Sequence, residues 1–76
     1  MADERVRVEV AFDGGQVLSV LVPLRAAEEL EQALAGGEES AFGLEADDGR
    51  YTVALRRVVY VKRFAREMRI GFAGAA

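Results

Sequence analysis

Alternating apolar and polar residues predict a β-hairpin at the start of the chain. Every second residue from Val6 to Phe12 is a valine or a phenylalanine, which is the period of a strand buried on one face. The Asp-Gly-Gly sequence at 13–15 follows, and its glycines accept the positive φ angles of a tight turn. Residues 16–22 are then the antiparallel return strand. Their apolar side chains fall on both faces, as in a strand that is central in a sheet or covered on both sides.

A helix is predicted from Leu24 to Ala35. Pro23 suits its first turn, where a missing N–H costs nothing, and the residues that follow are mostly strong helix formers. The glycine pair at 36–37 should end the helix in a left-handed conformation. The pattern indicates an amphipathic helix with one narrow apolar stripe on the sheet. The apolar positions at helical spacing are Ala27, Leu30 and Leu34.

A second hairpin follows the helix. Apolar residues alternate between Phe42 and Ala46 and again between Tyr51 and Leu55. The Asp-Asp-Gly sequence at 47–49 predicts a three-residue turn that joins these third and fourth strands.

The alternation is ambiguous after the fourth strand. Continued alternation would bury two arginines, so we expect a sharp bend or a bulge at residues 56–57. The shifted register then brings either Val58 and Tyr60, or Val59 and Val61, onto the core face.

A helix over residues 57–68 is the competing interpretation, because apolar residues recur there at helical spacing. Its start consists of four β-forming residues in a row, which argues against it. A last strand is predicted at 68–72, and residues 1–4 and 73–76 are expected to be frayed. The apolar positions behind the helical interpretation are Val58, Val61, Ala65 and Met68.

The whole pattern predicts an α+β fold in the order β-β-α-β-β-β, forming a single domain over residues 1–76. Short strands with one helix favour a small, strongly curved antiparallel sheet. Closure into an SH3-like or Sm-like barrel with one inserted helix would remove the exposed edges. A chain of 76 residues has a thin stability margin, which small domains usually widen with disulfides, a metal or a partner. We therefore expect a homo-oligomer, most simply a dimer.

The inventory of side chains argues against catalysis. The chain has no cysteine and no histidine, so Cys–His and Ser–His–Asp nucleophile systems cannot be built within it. The glycines do not form a phosphate loop, and the Asp-Gly turns lack the further oxygen ligands of a calcium loop. We expect a non-enzymatic protein with no cofactor and no metal.

The longest run of hydrophobic residues, at 58–61, has four residues, far below the roughly 20 that span a bilayer. The first residues are charged and have no apolar stretch behind them, unlike a signal peptide. The expected location is the cytoplasm, without a membrane partner.

Charge is distributed unevenly along the chain, whose net charge is −3. Residues 1–49 carry a net charge of −9 and residues 50–76 one of +6. This split predicts either a basic surface with its own purpose or a charge-matched contact between the halves. The candidate basic face consists of Arg56, Arg57, Lys62, Arg63, Arg66 and Arg69.

Two functions fit such a basic face. The first is a binding or assembly module that docks an acidic partner, or the glutamate-rich helix of a second copy. The second is binding of single-stranded nucleic acid or a phosphate ligand, with Tyr60 and Phe64 as stacking residues. The acidic pI of about 4.9 disfavours the second, because dedicated nucleic-acid binders are usually basic. The glutamates proposed as counterparts are Glu28, Glu29, Glu31, Glu38 and Glu39.

Overall fold

The computed structural model of this chain describes residues 4–65, and these residues contain five strands, one α-helix and one 3-10 helix. The α+β class with small antiparallel sheets and one α-helix is confirmed, and the order of elements differs in detail, because a 3-10 helix separates the fourth and fifth strands. The strand expected at 68–72 lies outside the described residues, as do residues 1–3 and 73–76. The elements are β1 (Arg5–Phe12), β2 (Val17–Pro23), α1 (Leu24–Gly36), β3 (Ala41–Ala46), β4 (Gly49–Ala54), the 3-10 helix (Leu55–Arg57) and β5 (Val58–Arg63).

The strands form two antiparallel sheets rather than one closed barrel. The first has the order β2-β1-β5 and the second pairs β3 with β4. The connection from β2 to β3 runs through α1, and one backbone hydrogen bond, from the Asp47 N–H to the Leu21 carbonyl (3.1 Å), links the second sheet to β2. Within residues 4–65 no sheet closes on itself.

The central strand of the larger sheet is β1, not β2. Strand β2 has its buried residues on one face only, with Val20 and Val22 inside and Val17 and Ser19 exposed. The expectation that β2 is central or covered on both sides is therefore wrong. Its apolar residues on the second face, such as Leu21, lie at the surface or are half-buried. Single apolar side chains are often exposed in this way on protein surfaces.

The core lies between α1 and the inner faces of the two sheets. Val8 and Val10 of β1, Leu30 of α1 and Leu44 of β3 are fully buried in one cluster. No polar or charged side chain among the described residues is buried. Burial of each large side chain contributes roughly 1.5–3 kcal/mol.

The first hairpin forms where the sequence predicts it. The Phe12 N–H donates to the Gln16 carbonyl (2.8 Å), and Gly14 and Gly15 have φ angles of 90° and 94°. The second hairpin is also confirmed, but its turn is shorter than expected. Ala46 pairs directly with Gly49, so two residues form the turn, because Gly49 itself accommodates a φ of 146° within the ladder.

The chain bends after β4 through the 3-10 helix and continues as β5, which contradicts the helix proposed from residue 57. The sharp bend expected at 56–57 is therefore present, and a bulge lies further on, in β5, where Ala11 pairs with Tyr60 while Phe12 pairs with Val58. The extra residue, Val59, shifts the alternation by one. Val58 and Val61 consequently both pack against the core, whereas Tyr60 is exposed.

Neither inward pair proposed from the sequence is therefore right. Val58 and Val61 both face the core and are three positions apart, a spacing that resembles helical periodicity. The bulge at Val59 is the physical cause of this spacing. The same bulge leaves Val59 exposed.

The amphipathic helix is confirmed. Ala27 and Leu30 are buried and Leu34 is partly buried against the core. Pro23 lies just before the first turn, in an extended conformation. The helix ends at Gly37, which has a φ of 71° and donates its N–H to the Ala33 carbonyl. No other helix is described in residues 4–65, and none of the helices there could cross a membrane.

The two glycines at the end of α1 should respond in opposite directions to alanine. Gly37→Ala forces a Cβ into the left-handed region and is expected to destabilise the protein by about 1 kcal/mol. Gly36→Ala lies in the helix, meets open space and is expected to stabilise it by roughly 0.5 kcal/mol. Urea unfolding of both variants measures this difference. Equal destabilisation by both would contradict the assigned cap.

Candidate functional site

The proposed basic residues do not share one surface. Arg56 and Arg57 belong to the 3-10 helix and Lys62 and Arg63 to β5, while Arg66 and Arg69 lie outside the described residues. Successive strand residues face opposite ways, which separates Lys62 from Arg63. The contacts of each cation show how much of its charge is available to a ligand.

Arg57 is engaged at the hairpin between β1 and β2. Its Nη1 lies 3.2 Å from Oδ1 of Asp13, and the Asp13 N–H donates to the Arg57 carbonyl (2.9 Å). Asp13 therefore has a role beyond its turn, because it anchors the start of β5 to the first hairpin. Both side chains are well exposed, so the ion pair itself contributes little to stability.

Arg63 reaches from β5 to the helix. Its Nε donates to Oε2 of Glu31 (2.9 Å) and its Nη2 to Oε1 (2.6 Å), a two-pronged contact. These hydrogen bonds lower the pKa of Glu31 below its usual value, against a smaller opposing effect of burial. The same contact raises the pKa of Arg63. Glu31 is thus the intramolecular partner of a residue assigned to the basic face.

Lys62 and the two proposed stacking residues lie on the opposite side of the sheet. The Lys62 Nζ lies 4.5 Å from the centre of the Phe64 ring, a cation–π contact. The Tyr60 hydroxyl donates to Oε2 of Glu9 (2.5 Å), and this bond raises the pKa of Tyr60. One candidate stacking ring is therefore covered on one side by a lysine, and the other is tethered to a carboxylate.

Ion pairs within the chain account for much of the charge split. Four ion pairs occur within residues 4–65, and three of them join a residue before position 50 to one at or after it. Arg50 pairs with Glu45 across the second hairpin at 2.7 Å. Among the described members of the basic face, Arg56 alone makes no ion pair, side-chain hydrogen bond or cation–π contact with another described residue. The structure thus favours a charge-matched contact between the halves over a free basic surface.

A different surface stands out once the strands are placed. The outer sheet face is the side of the β2-β1-β5 sheet turned away from α1. The strand pairing arranges its side chains in three cross-strand rows. In the first row Ala11 lies between Val17 and Tyr60, and in the second row Glu9 lies between Ser19 and Lys62. In the third row Arg7 lies between Leu21 and Phe64.

The first row of the outer sheet face is apolar and open to solvent. Val17, Val59 and Tyr60 are 56%, 65% and 45% exposed, and they are the large apolar residues most exposed in the described part of the chain. Val17 and Tyr60 flank Ala11 in one row, and Val59 is the bulged residue next to Tyr60. Three such side chains at one end of one sheet form a patch of the kind that marks contact surfaces.

A groove of about 660 Å³ opens at the other end of the larger sheet. Three arginines line it, and each is already engaged: Arg5 with Asp47, Arg7 with Ser19 and Arg63 with Glu31. Groups of three or more acidic residues able to hold a metal are absent from residues 4–65. Arg5 and Arg63 are therefore neutralised by carboxylates, whereas Arg7 donates to a neutral hydroxyl that does not offset its charge.

Sequence reasoning did not find the outer sheet face. Glu9 and Tyr60 are 51 positions apart, and nothing local shows that β5 pairs with β1. The available signal was in β2, where the apolar Val17 and Leu21 are out of phase with the buried positions of the strand. Comparisons with known protein families, with curated proteins and with solved structures found no match for this chain.

The contact between Glu31 and Arg63 predicts a pH-dependent contribution to stability. Because folding lowers the pKa of Glu31 from its usual 4.5, the contribution is present above that value and is lost as the pH falls through the lower folded pKa. Glu31→Gln should reduce the free energy of unfolding near pH 7 by at most roughly 1 kcal/mol, since both side chains are about one-third exposed.

Urea unfolding of the wild type and Glu31→Gln between about pH 2 and 7 tests this expectation, and the difference should vanish at the acid end. Glu29→Gln is the matched control, because Glu29 is exposed on the same helix and has no ion pair within residues 4–65. A difference between wild type and Glu31→Gln that does not change with pH would contradict the assignment.

Proposed function

We propose that this chain is a non-enzymatic binding and assembly module that contacts another polypeptide through the outer sheet face. The observation that carries the proposal is the patch formed by Val17, Val59 and Tyr60 at one end of that face. The opposite face of the same sheet is covered by α1. A β-sheet with one covered face and one open apolar row is suited to docking a second surface.

The charges beside the patch support a contact that is mainly apolar, with a polar rim. Glu9 and Lys62 occupy the same cross-strand row, so the outer sheet face carries both signs. An acidic partner is a second form of the proposal, through Lys62 and Arg56, the basic-face residues without an ion pair in the described part of the chain. Such a partner would be held more weakly at high salt.

Binding of single-stranded nucleic acid is less well supported. Phosphates need several free cations, and Arg57 and Arg63 are already paired with carboxylates. Glu9 lies next to both Tyr60 and Lys62 on the outer sheet face, where its negative charge repels a phosphate backbone. The nucleic-acid alternative therefore rests on Arg56, Lys62 and residues outside the described range.

The architecture proposed for this module is an SH3-like or Sm-like barrel with one inserted helix. The hydrogen bond from the Asp47 N–H to the Leu21 carbonyl (3.1 Å) supports an arrangement in which the second sheet continues from β2. The cytoplasm is the location assumed for the module.

The function is tested by measuring association of the chain before and after the patch is made polar. Light scattering coupled to size exclusion, at about 0.05 and 0.5 M salt, gives the oligomeric state, and a titration with poly-glutamate probes the acidic-partner form. We expect association in at least one assay, and loss of it in the Val59→Ser, Tyr60→Ser double variant. Resistance to salt would identify an apolar contact, and sensitivity a charged one.

Thr52→Ala is the matched control, because Thr52 is exposed on β4, away from the outer sheet face. The proposal would be overturned if the chain is monomeric and also does not bind poly-glutamate. Tight binding of a labelled oligonucleotide that is lost in Arg56→Gln, Lys62→Gln would replace it with the nucleic-acid alternative.

A further inference from the structure

Strand β5 has one unpaired edge in the described part of the chain. It pairs with β1 on one side, and the sheet order ends there. The Phe64 N–H donates to the Arg7 carbonyl (3.0 Å). Because backbone groups of successive strand residues point to opposite edges, those of Tyr60 and Lys62 also point to β1. The backbone N–H and C=O groups of Val61 and Arg63 point to the open edge.

We infer that a second copy of this chain occupies this edge, with the two β5 strands antiparallel about a two-fold axis beside Val61. This inference rests on the proposed function and names its partner, which pairs at the β5 edge next to Tyr60 of the outer sheet face. A row of unpaired backbone groups favours pairing with another strand. A two-fold arrangement uses the same edge of both copies, so the contact is closed and stops at a dimer.

Side chains select the register of this pairing. Residues whose backbone groups point to the open edge must pair with residues of the same kind in the other copy. A two-fold axis beside Val61 meets this condition and places Val61 opposite its own copy. Tyr60 of each copy then lies opposite Lys62 of the other, which forms two cation–aromatic pairs on the outer sheet face. An axis beside Lys62 would instead place two like charges directly opposite each other, which is unfavourable.

The surface around β5 is self-complementary, and this favours a second copy over an unrelated strand. Tyr60 and Lys62 are both exposed and lie on one face of the strand, so each copy offers both halves of the pair. Val59, the most exposed of the three patch residues, lies beside Tyr60 and would be drawn into the contact. A chain of 76 residues also has the thin stability margin that association widens.

The β5 pairing is tested directly by the alternation of its amides, because only every second amide points to the open edge. Amide hydrogen exchange by NMR is measured at protein concentrations above and below the dissociation constant found by light scattering. The amides of Val61 and Arg63 should exchange about tenfold or more slowly in the concentrated sample. The amides of Tyr60, Lys62 and Phe64 serve as internal references, because β1 already protects them at both concentrations.

The register is tested separately with mixed isotope-labelled and unlabelled protein. Contacts between the Tyr60 ring and the Lys62 side chain of the other copy are expected in filtered nuclear Overhauser spectra. Lys62→Gln should weaken the dimer about three- to tenfold, a cost of roughly 0.7–1.4 kcal/mol. Arg25→Gln, the same change of charge at an exposed position of α1, should leave the dissociation constant unchanged.

The outcomes separate this inference from the proposed function. A dimer without concentration-dependent protection of Val61 and Arg63 would overturn the β5 pairing and leave an assembly module with another interface. A monomer that binds poly-glutamate would likewise overturn the second copy as partner while the binding function stands. A monomer that binds nothing would overturn both.

Discussion

The central position of β1 is the constraint on which the other elements depend. It pairs with β2 on one side and with β5 on the other, and it places the fully buried Val8 and Val10 against α1 and the second sheet. In a chain this short, few residues can be removed from water completely. A strand that supplies two of them while satisfying backbone groups at both edges therefore fixes where the rest of the chain can pack.

The ion pairs are a consequence of the chain path and do not determine it. The acidic helix and the arginine-rich segment are distant in sequence, yet the pairing of β5 with β1 brings Arg63 to Glu31 and Arg57 to Asp13. These contacts are exposed or half-exposed and contribute modestly. Their larger effect is on the surface, because they neutralise two arginines and leave an apolar row as the more distinctive feature.

Local patterns were enough to predict both hairpins and the helix. The β1–β2 hairpin follows from alternation and an Asp-Gly-Gly turn, and the helix from its apolar spacing and the left-handed Gly37. The bulge at Val59 could not be placed, because one inserted residue is invisible until the partner strand is known. The separation of the two sheets and the pairing of the arginines are likewise long-range properties.

For the same reason, the candidate site could be predicted only in part. Tyr60 and Lys62 were selected for their chemistry, but the face they share with Val17 depends on the register of three strands. Arg57 and Arg63 were selected with them and lie elsewhere. Residue type alone cannot decide which cations are free, because that depends on which carboxylates the fold brings near.

The long-range pairing of β1 with β5 also bears on how the protein is made. Both hairpins and the helix are local in sequence, whereas the bond between Tyr60 and Glu9 spans 51 positions. Contacts of high sequence separation close late, because their loop entropy must be overcome first. During synthesis, β1 and β2 can pair early, but the second edge of β1 stays open until β5 has left the ribosome. The pairing of β5 thus acts as a late step of folding, and a chain stopped before β5 would expose the edge of its own central strand.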